Sequence, residues 1–285
     1  MTDIYNSEEF ATLIELAYRE DAPTGDLSTR YILSESDRAI ATLIAKDDGI
    51  VSGLEVAYMV LCRCTPEEEI TFTSEYEDGD EVRKGDILAT IEAPYAELLR
   101  AERIMLNFLQ RMSGIATYTH QCVQCVSGTK TQILDTRKTA PGHRLTDKMA
   151  VRDGGGTNHR ASLSDMVMLK DNHIAMAGGI LPAVEEVRPN LPISVLIEVE
   201  TTTLEEVQEA LDAGADIIML DNMDIETMRR AVVLINGQAK VEASGNMTAE
   251  RLAAVAAVGV DYISIGALTH SVRAFDISMK IKPIQ

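Results

Sequence analysis

The chain has 285 residues and a mass of 31.1 kDa, room for one large or two medium domains. Hydrophobic residues make up 46% and charged residues 25%, the balance of a globular protein, while 26 Lys and Arg against 45 Asp and Glu leave a net charge of −19. That excess of acid excludes a general nucleic-acid binder, no apolar run reaches membrane-spanning length, and four cysteines do not make a disulfide framework. The first residues, MTDIYNSEEF, lack the basic-then-apolar pattern of a signal peptide, so a cytoplasmic protein is expected.

In chain order, residues 7–20 predict an amphipathic helix capped by Ser7, with Phe10, Leu13, Ile14 and Ala17 as its stripe. A turn-forming segment follows at 21–29, then a strand at 38–45 and a short helix at 53–63. The stretch 70–92 reads as a structural β hairpin broken by the turns EDGD and RKGD. A helix is predicted from Pro94 to about Arg111 and a second over 115–127. After Gly128 short β-rich runs alternate with helical ones, with strands at 131–135, 166–169, 193–199, 216–220, 240–243 and 261–265. The last four begin a little over twenty residues apart, the spacing of βα units. Six strands, short of eight, predict either an incomplete (β/α) barrel or a barrel whose further strands the sequence does not reveal. An open doubly wound sheet is the alternative, but no G-x-G-x-x-G follows the first strand.

Charge is unevenly spread. Residues 101–175 carry 10 basic and 6 acidic side chains, whereas residues 1–100 carry 8 and 23. A positive segment in an acidic chain suits a pocket for a small, multiply charged anion. Chemistry in a (β/α) barrel sits at the C-terminal strand ends, and all six predicted strands end in polar residues. The early ends and the loop between them supply Arg137, Lys138, Arg144, Lys148, Arg152, His159, Arg160 and Lys170. The middle ends supply Glu198, Glu200 and Asp221. The late ends supply Glu242, the small residues Ser244, Gly245, Asn246 and Gly266, and then His270. Arg pairs bidentately with carboxylates and phosphates, glycine lets backbone N–H groups approach a phosphate, and carboxylates suit Mg²⁺ or sugar hydroxyls. The glycines at 154–156 let the chain turn so that Asn158, His159 and Arg160 face inward.

The motifs DTRKTAPGHR at 135–144, KMAVRDGGGTNHR at 148–160, LKDNHI at 169–174, IEVE at 197–200, LDN at 220–222, EASGN at 242–246 and VDYISIGALTHS at 260–271 resemble the quinolinate phosphoribosyltransferase family. AERIMLNFLQRMSGIAT at 101–117 and EDAPTGDLST at 20–29 extend that resemblance over nearly the whole chain. It implies an N-terminal, hammerhead-like α/β sandwich over 1–111, joined by the tail 271–285, and a barrel over 112–270. It implies transfer of phosphoribosyl from phosphoribosyl pyrophosphate to quinolinate, with Mg²⁺, in a homodimer or a trimer of dimers. By the same resemblance Arg137, Lys138, His159 and Arg160 meet the quinolinate carboxylates, with Arg103 arriving from a partner subunit. Lys170 lies between the substrates, and Glu200 and Asp221 hold the ribose hydroxyls and the Mg²⁺–pyrophosphate. Ser244, Gly245, Asn246, Gly266 and His270 bind the 5-phosphate. Lys138, Lys170, Glu200 and Asp221 are the expected catalytic group. Family members often have Gly where Asn246 stands, and a backbone N–H serves either way.

Three rivals share parts of this pattern: a molybdenum-transport-associated paralogue, a nicotinate-type phosphoribosyltransferase and a non-catalytic barrel binding phosphorylated ligands. The density of Arg at 137, 144, 152 and 160 favours a dicarboxylate, and a sensor would not need Glu200, Asp221 and Lys170 together. The pairs Cys62/Cys64 and Cys122/Cys125 read as core packing in preference to a Cys₄ zinc site.

Overall fold

The computed structural model describes residues 7–284. In chain order it runs α1 (Glu8–Asp21), β1 (Arg38–Ala45), β2 (Gly49–Ile50), α2 (Leu54–Cys62), β3 (Thr71–Thr73), β4 (Glu81–Val82), β5 (Ile87–Pro94) and α3 (Tyr95–Cys125). Then come β6 (Gln132–Leu134), α4 (Arg144–Asp153), β7 (Val167–Leu169), α5 (Asp171–Ala177), α6 (Ile180–Val187), β8 (Ile197–Thr201) and α7 (Leu204–Asp212). The chain closes with β9 (Ile217–Asp221), α8 (Ile225–Ile235), β10 (Lys240–Ser244), α9 (Ala249–Ala256), β11 (Tyr262–Ser264), α10 (Ala267–His270) and β12 (Ile277–Pro283). Two units result. One takes the chain up to Tyr118, Thr139–Gly155 and the chain from Ser271 onward; the other takes Thr119–Lys138 and Gly156–His270. The division falls within α3 rather than at 111/112, and it places α4 with the first unit.

The first unit is built on an antiparallel sheet of order β12-β1-β5-β3. Strand β1 alternates strictly: Ala39, Ala41, Leu43 and Ala45 are fully buried while the residues between them face outward. The segment 70–92 is a wide β3–β5 pair, with β4 in its loop pairing instead with β2. Helix α1 starts where Ser7 Oγ accepts the Phe10 N–H at 3.2 Å, and it buries Phe10, Ile14 and Tyr18 on one face. Helix α3 is one unbroken element of 31 residues where two helices were expected. The apparent break, at Gly114, is a packing requirement: a Cβ there would stand 2.2 Å from the Arg273 carbonyl oxygen, where the chain leading to β12 crosses the helix.

The second unit is a parallel sheet of six strands in the order β6-β11-β10-β9-β8-β7, alternating along the chain with helices. This is the incomplete barrel. All six expected strands are present; β8 begins at Ile197 rather than 193, because Pro192 starts a turn that delays it. Edge strands β6 and β7 do not pair with each other among the described residues. The free edge of β6 receives a single parallel bridge, Leu134 with Thr157, through which the segment after α4 rejoins the unit.

Candidate active site

Because every strand of the second unit runs the same way, all six C-terminal ends share one rim, and strand order fixes the order of chemistry around it. Lys138 follows β6; Gly266 and His270 follow β11; Ser244, Gly245 and Asn246 follow or end β10. Asp221 ends β9, Glu200 lies at the end of β8, and Lys170 follows β7. Cations therefore stand at both sheet edges, carboxylates on neighbouring strands and small residues on the remaining two.

The small-residue side is tightly built. A Cβ on Gly266 would lie 2.9 Å from Lys138 Cδ and 3.2 Å from His270 Nε2, so backbone, Lys138 and His270 converge. Thr269 Oγ1 donates to the Lys138 carbonyl at 2.9 Å, fixing the chain after β6 against α10. Gly245 has φ +93° and Asn246 φ +46°, two successive left-handed residues. A Cβ on Gly245 would fall 2.1 Å from Asn222 Oδ1, so no other residue fits beside that amide. Asn222 in turn donates from Nδ2 to Asp221 Oδ2 at 2.7 Å, and its N–H donates to the Ser244 carbonyl at 3.0 Å.

On the carboxylate side, Lys170 Nζ donates to Glu200 Oε2 at 2.5 Å across the β7–β8 edge. Glu200 and Asp221 thus each have one oxygen engaged by a neighbour. No third His, Cys, Asp or Glu joins them in a metal-sized cluster among the described residues. Hard oxygen donors in this number fit an Mg²⁺ that arrives on phosphate oxygens, not a cage built by the protein alone.

The gap between β6 and β7 is filled by the turn at 157–160. Asp135, fully buried past the end of β6, accepts the His159 N–H at 2.8 Å and Asn158 Nδ2 at 2.7 Å. The His159 ring points into the barrel. Its Nε2 lies 3.0 Å from Glu198 Oε2 on β8 and 3.4 Å from Glu242 Oε2 on β10, and its Nδ1 accepts the Arg160 N–H at 2.8 Å. The Arg160 guanidinium donates from Nη1 to the Met166 carbonyl at 2.9 Å. Burial and the nearby Arg137 charge hold its pKa below the usual arginine value.

These distances revise parts of the sequence reading. Arg144, Lys148 and Arg152 belong to α4 in the first unit, so the rim cations of the second unit are Arg137, Lys138, His159, Arg160 and Lys170. Arg103 is an exposed residue of α3, also in the first unit. Glu198 and Glu242 are not rim residues. Each is fully buried, on the same strand face as Glu200 and Ser244 but one layer deeper. His159, expected to meet substrate directly, turns both ring nitrogens to protein partners.

Two family models match the chain: the N-terminal domain of quinolinate phosphoribosyl transferase over residues 26–113 and its C-terminal domain over residues 115–280. The chain belongs to the quinolinate phosphoribosyltransferase family. A Bacillus subtilis protein named a probable nicotinate-nucleotide pyrophosphorylase (carboxylating) is 43% identical over 97% of this chain and 94% of its own length. The chloroplastic nicotinate-nucleotide pyrophosphorylase of Arabidopsis thaliana is 44% identical over 96% of this chain and 83% of its own. Among solved structures, that of NadC from Streptococcus pyogenes superposes with a TM-score of 0.92 at 40% identity, covering 97% of this chain and 98% of that one. The sequence reading set Asp135, Glu198 and Glu242 at strand ends without giving any of them a role, and the structure buries all three. The signal for the two glutamates was present: in IEVE and VEAS an acid sits two residues before the polar residue that reaches the rim.

Proposed function

We propose that the chain transfers the phosphoribosyl group of phosphoribosyl pyrophosphate to the ring nitrogen of quinolinate, releasing pyrophosphate and CO₂ and leaving nicotinate mononucleotide. The observation that carries this is the rim order: cations at the two sheet edges, paired carboxylates at β8 and β9, and glycine-opened strand ends at β10 and β11. Such a rim accommodates a dicarboxylate, a sugar and a phosphate side by side.

Arg137, Lys138 and Arg160 meet the quinolinate carboxylates, and His159 serves them by holding Arg160. Lys170 stands between the substrates; Glu200 and Asp221 take the ribose hydroxyls and the Mg²⁺-bound pyrophosphate; Ser244, Gly245, Asn246, Gly266 and His270 take the 5-phosphate. Mg²⁺ supplies charge neutralisation of the departing pyrophosphate. Lys138 and Lys170 add positive charge where the C–O bond to pyrophosphate breaks as the C–N bond forms. Fixing both substrates on one rim removes most of the entropy cost of their meeting. No enzyme nucleophile is needed. Once the ring nitrogen carries the ribose it is positively charged. The adjacent carboxylate then leaves as CO₂, the ring accepts the electron pair, and a proton from solvent replaces it.

The working assembly is a homodimer, possible as the unit of a trimer of dimers, in which Arg103 completes the partner's site. No described helix is long and apolar enough to cross a membrane, and the cytoplasm is the proposed location. The deciding assay supplies quinolinate, phosphoribosyl pyrophosphate and Mg²⁺ and follows nicotinate mononucleotide and CO₂. Nicotinate is expected to be a poor substrate, since a single carboxylate engages only part of the cation cluster formed by Arg137, Lys138 and Arg160. Absence of product, or comparable turnover with nicotinate, would overturn the assignment.

A further inference from the structure

Glu198 and Glu242 present a physical problem. Two carboxylates, both without exposed surface, flank one imidazole in the barrel interior, and Glu198 Oε1 and both Glu242 oxygens accept no hydrogen bond. Glu242 also lines a cavity of about 170 Å³ together with Leu134, Thr157, His159, Arg160 and Tyr262. Burying two such groups costs several kcal/mol each unless protons or partners compensate. Burial pushes the Glu198 carboxyl up, and Glu242 adds to the shift. Burial alone would lower His159, but its bonds to Glu198 and Glu242 lift it instead.

Geometry fixes the tautomer of the ring. His159 Nδ1 accepts the Arg160 N–H, so the ring's own proton sits on Nε2 and is donated to Glu198. The contacts form a chain: Glu198 holds the His159 ring, the ring holds the Arg160 N–H, and Asp135 holds the His159 N–H beside it. The ring contact that orients the turn at 158–160 thus leads down into the barrel to Glu198.

We propose that Glu198 is a positioning residue: through His159 it sets the turn that presents Arg160 to the substrate carboxylates. This rests on the assignment of quinolinate in the previous subsection. Two variants separate the role from mere stability. Glu198→Asp keeps the charge but retracts the carboxylate by one methylene, out of reach of Nε2. Glu198→Gln loses the charge but keeps an oxygen that accepts the Nε2 proton. The expected result is a KM for quinolinate raised roughly tenfold in Glu198→Asp and within about threefold of the parent in Glu198→Gln. The KM for phosphoribosyl pyrophosphate stays within about twofold in both. The proposal is overturned if Glu198→Asp leaves the quinolinate KM unchanged while lowering the melting temperature. It is equally overturned if both KM values rise together, or if Glu198→Gln is the worse variant. A parent protein with no quinolinate turnover sinks the substrate assignment instead, a distinct outcome.

Discussion

Asp221 and Glu200 differ from Glu198 and Glu242 by one layer of barrel and by everything that follows from it. The outer pair is half-buried, with one oxygen each engaged by Asn222 or Lys170, and in the proposed reaction it takes the sugar and its metal. The inner pair is sealed from solvent. Glu200→Ala and Asp221→Ala should therefore each lower kcat by roughly a hundredfold or more. Calorimetry with quinolinate alone should find its affinity within about threefold of the parent, and a large loss there would mean the two halves of the site are reversed. A different buried acid, Asp78, makes a prediction about stability. Its Oδ1 accepts the Leu54 N–H at 2.9 Å at the start of α2, and burial, with Asp153 nearby, pushes its pKa up to about 6. The folded state thus holds the proton more tightly than the unfolded chain. Asp78 favours folding in acid and becomes a cost as pH rises through 6. Asp78→Asn keeps an acceptor for Leu54 and never ionises. At pH 8 it should be more stable than the parent by about 1–3 kcal/mol, with the gain vanishing near pH 4. Thermal melts across that range decide it; a constant difference would refute the linkage.

Among the elements, α3 makes the sharpest demand on a single residue. Gly114→Ala would bring a Cβ to 2.2 Å from the Arg273 carbonyl oxygen, so the helix or the crossing chain must shift. A loss of about 1–3 kcal/mol is expected, read as a melting temperature several degrees lower. An unchanged melting temperature would show that the crossing is loose. The same glycine explains why the sequence suggested two helices here: a glycine inside a helical pattern reads as a breaker, and nothing local reveals a strand passing over it. Other elements were legible for equally physical reasons. The six barrel strands are buried β-branched runs ending in polar residues, and both features survive in a single sequence. The departure of α4 to the first unit was not legible, because Arg144 and Arg152 look like any cations in a loop between two strands. β12 was not read as a strand either, although ISMKIKP alternates apolar and polar residues; it is short, and its edge position leaves most of its residues partly exposed. Depth within the barrel was half legible. Period-two alternation puts Glu198 and Glu200 on one face, but only the true end of β8, two residues beyond the expected one, shows which of them reaches the rim.

At the scale of the whole molecule the open question is whether a site is completed by another copy. Arg103 sits exposed on α3 in the first unit, while the rim cations belong to the second. If the homodimer shares its sites, Arg103→Ala and Arg160→Ala homodimers are each nearly inactive. Mixed heterodimers then carry one doubly damaged site and one intact site. Random pairing makes half the dimers mixed, so roughly a quarter of parental activity should return. If Arg103 serves its own subunit, every site keeps one lesion and nothing returns. Mass measurement of the mixed dimers ensures that a null result speaks against sharing and not against mixing.

The sheet order β12-β1-β5-β3 carries a consequence for how the molecule is made. Strand β1 is made before, and its partner β12 after, every other described strand. Throughout elongation one side of β1 has no strand to receive its N–H and C=O groups, although β5 can already cover the other. The nascent chain thus exposes a seven-residue pairing edge, Ala39–Ala45, whose inward face is Ala, Ala, Leu and Ala. The second unit, whose segments end at His270, can complete its sheet before β12 emerges. Closure of this sheet therefore waits for β12, and in crowded synthesis the nascent β1 edge is the place where neighbouring chains would first stick together.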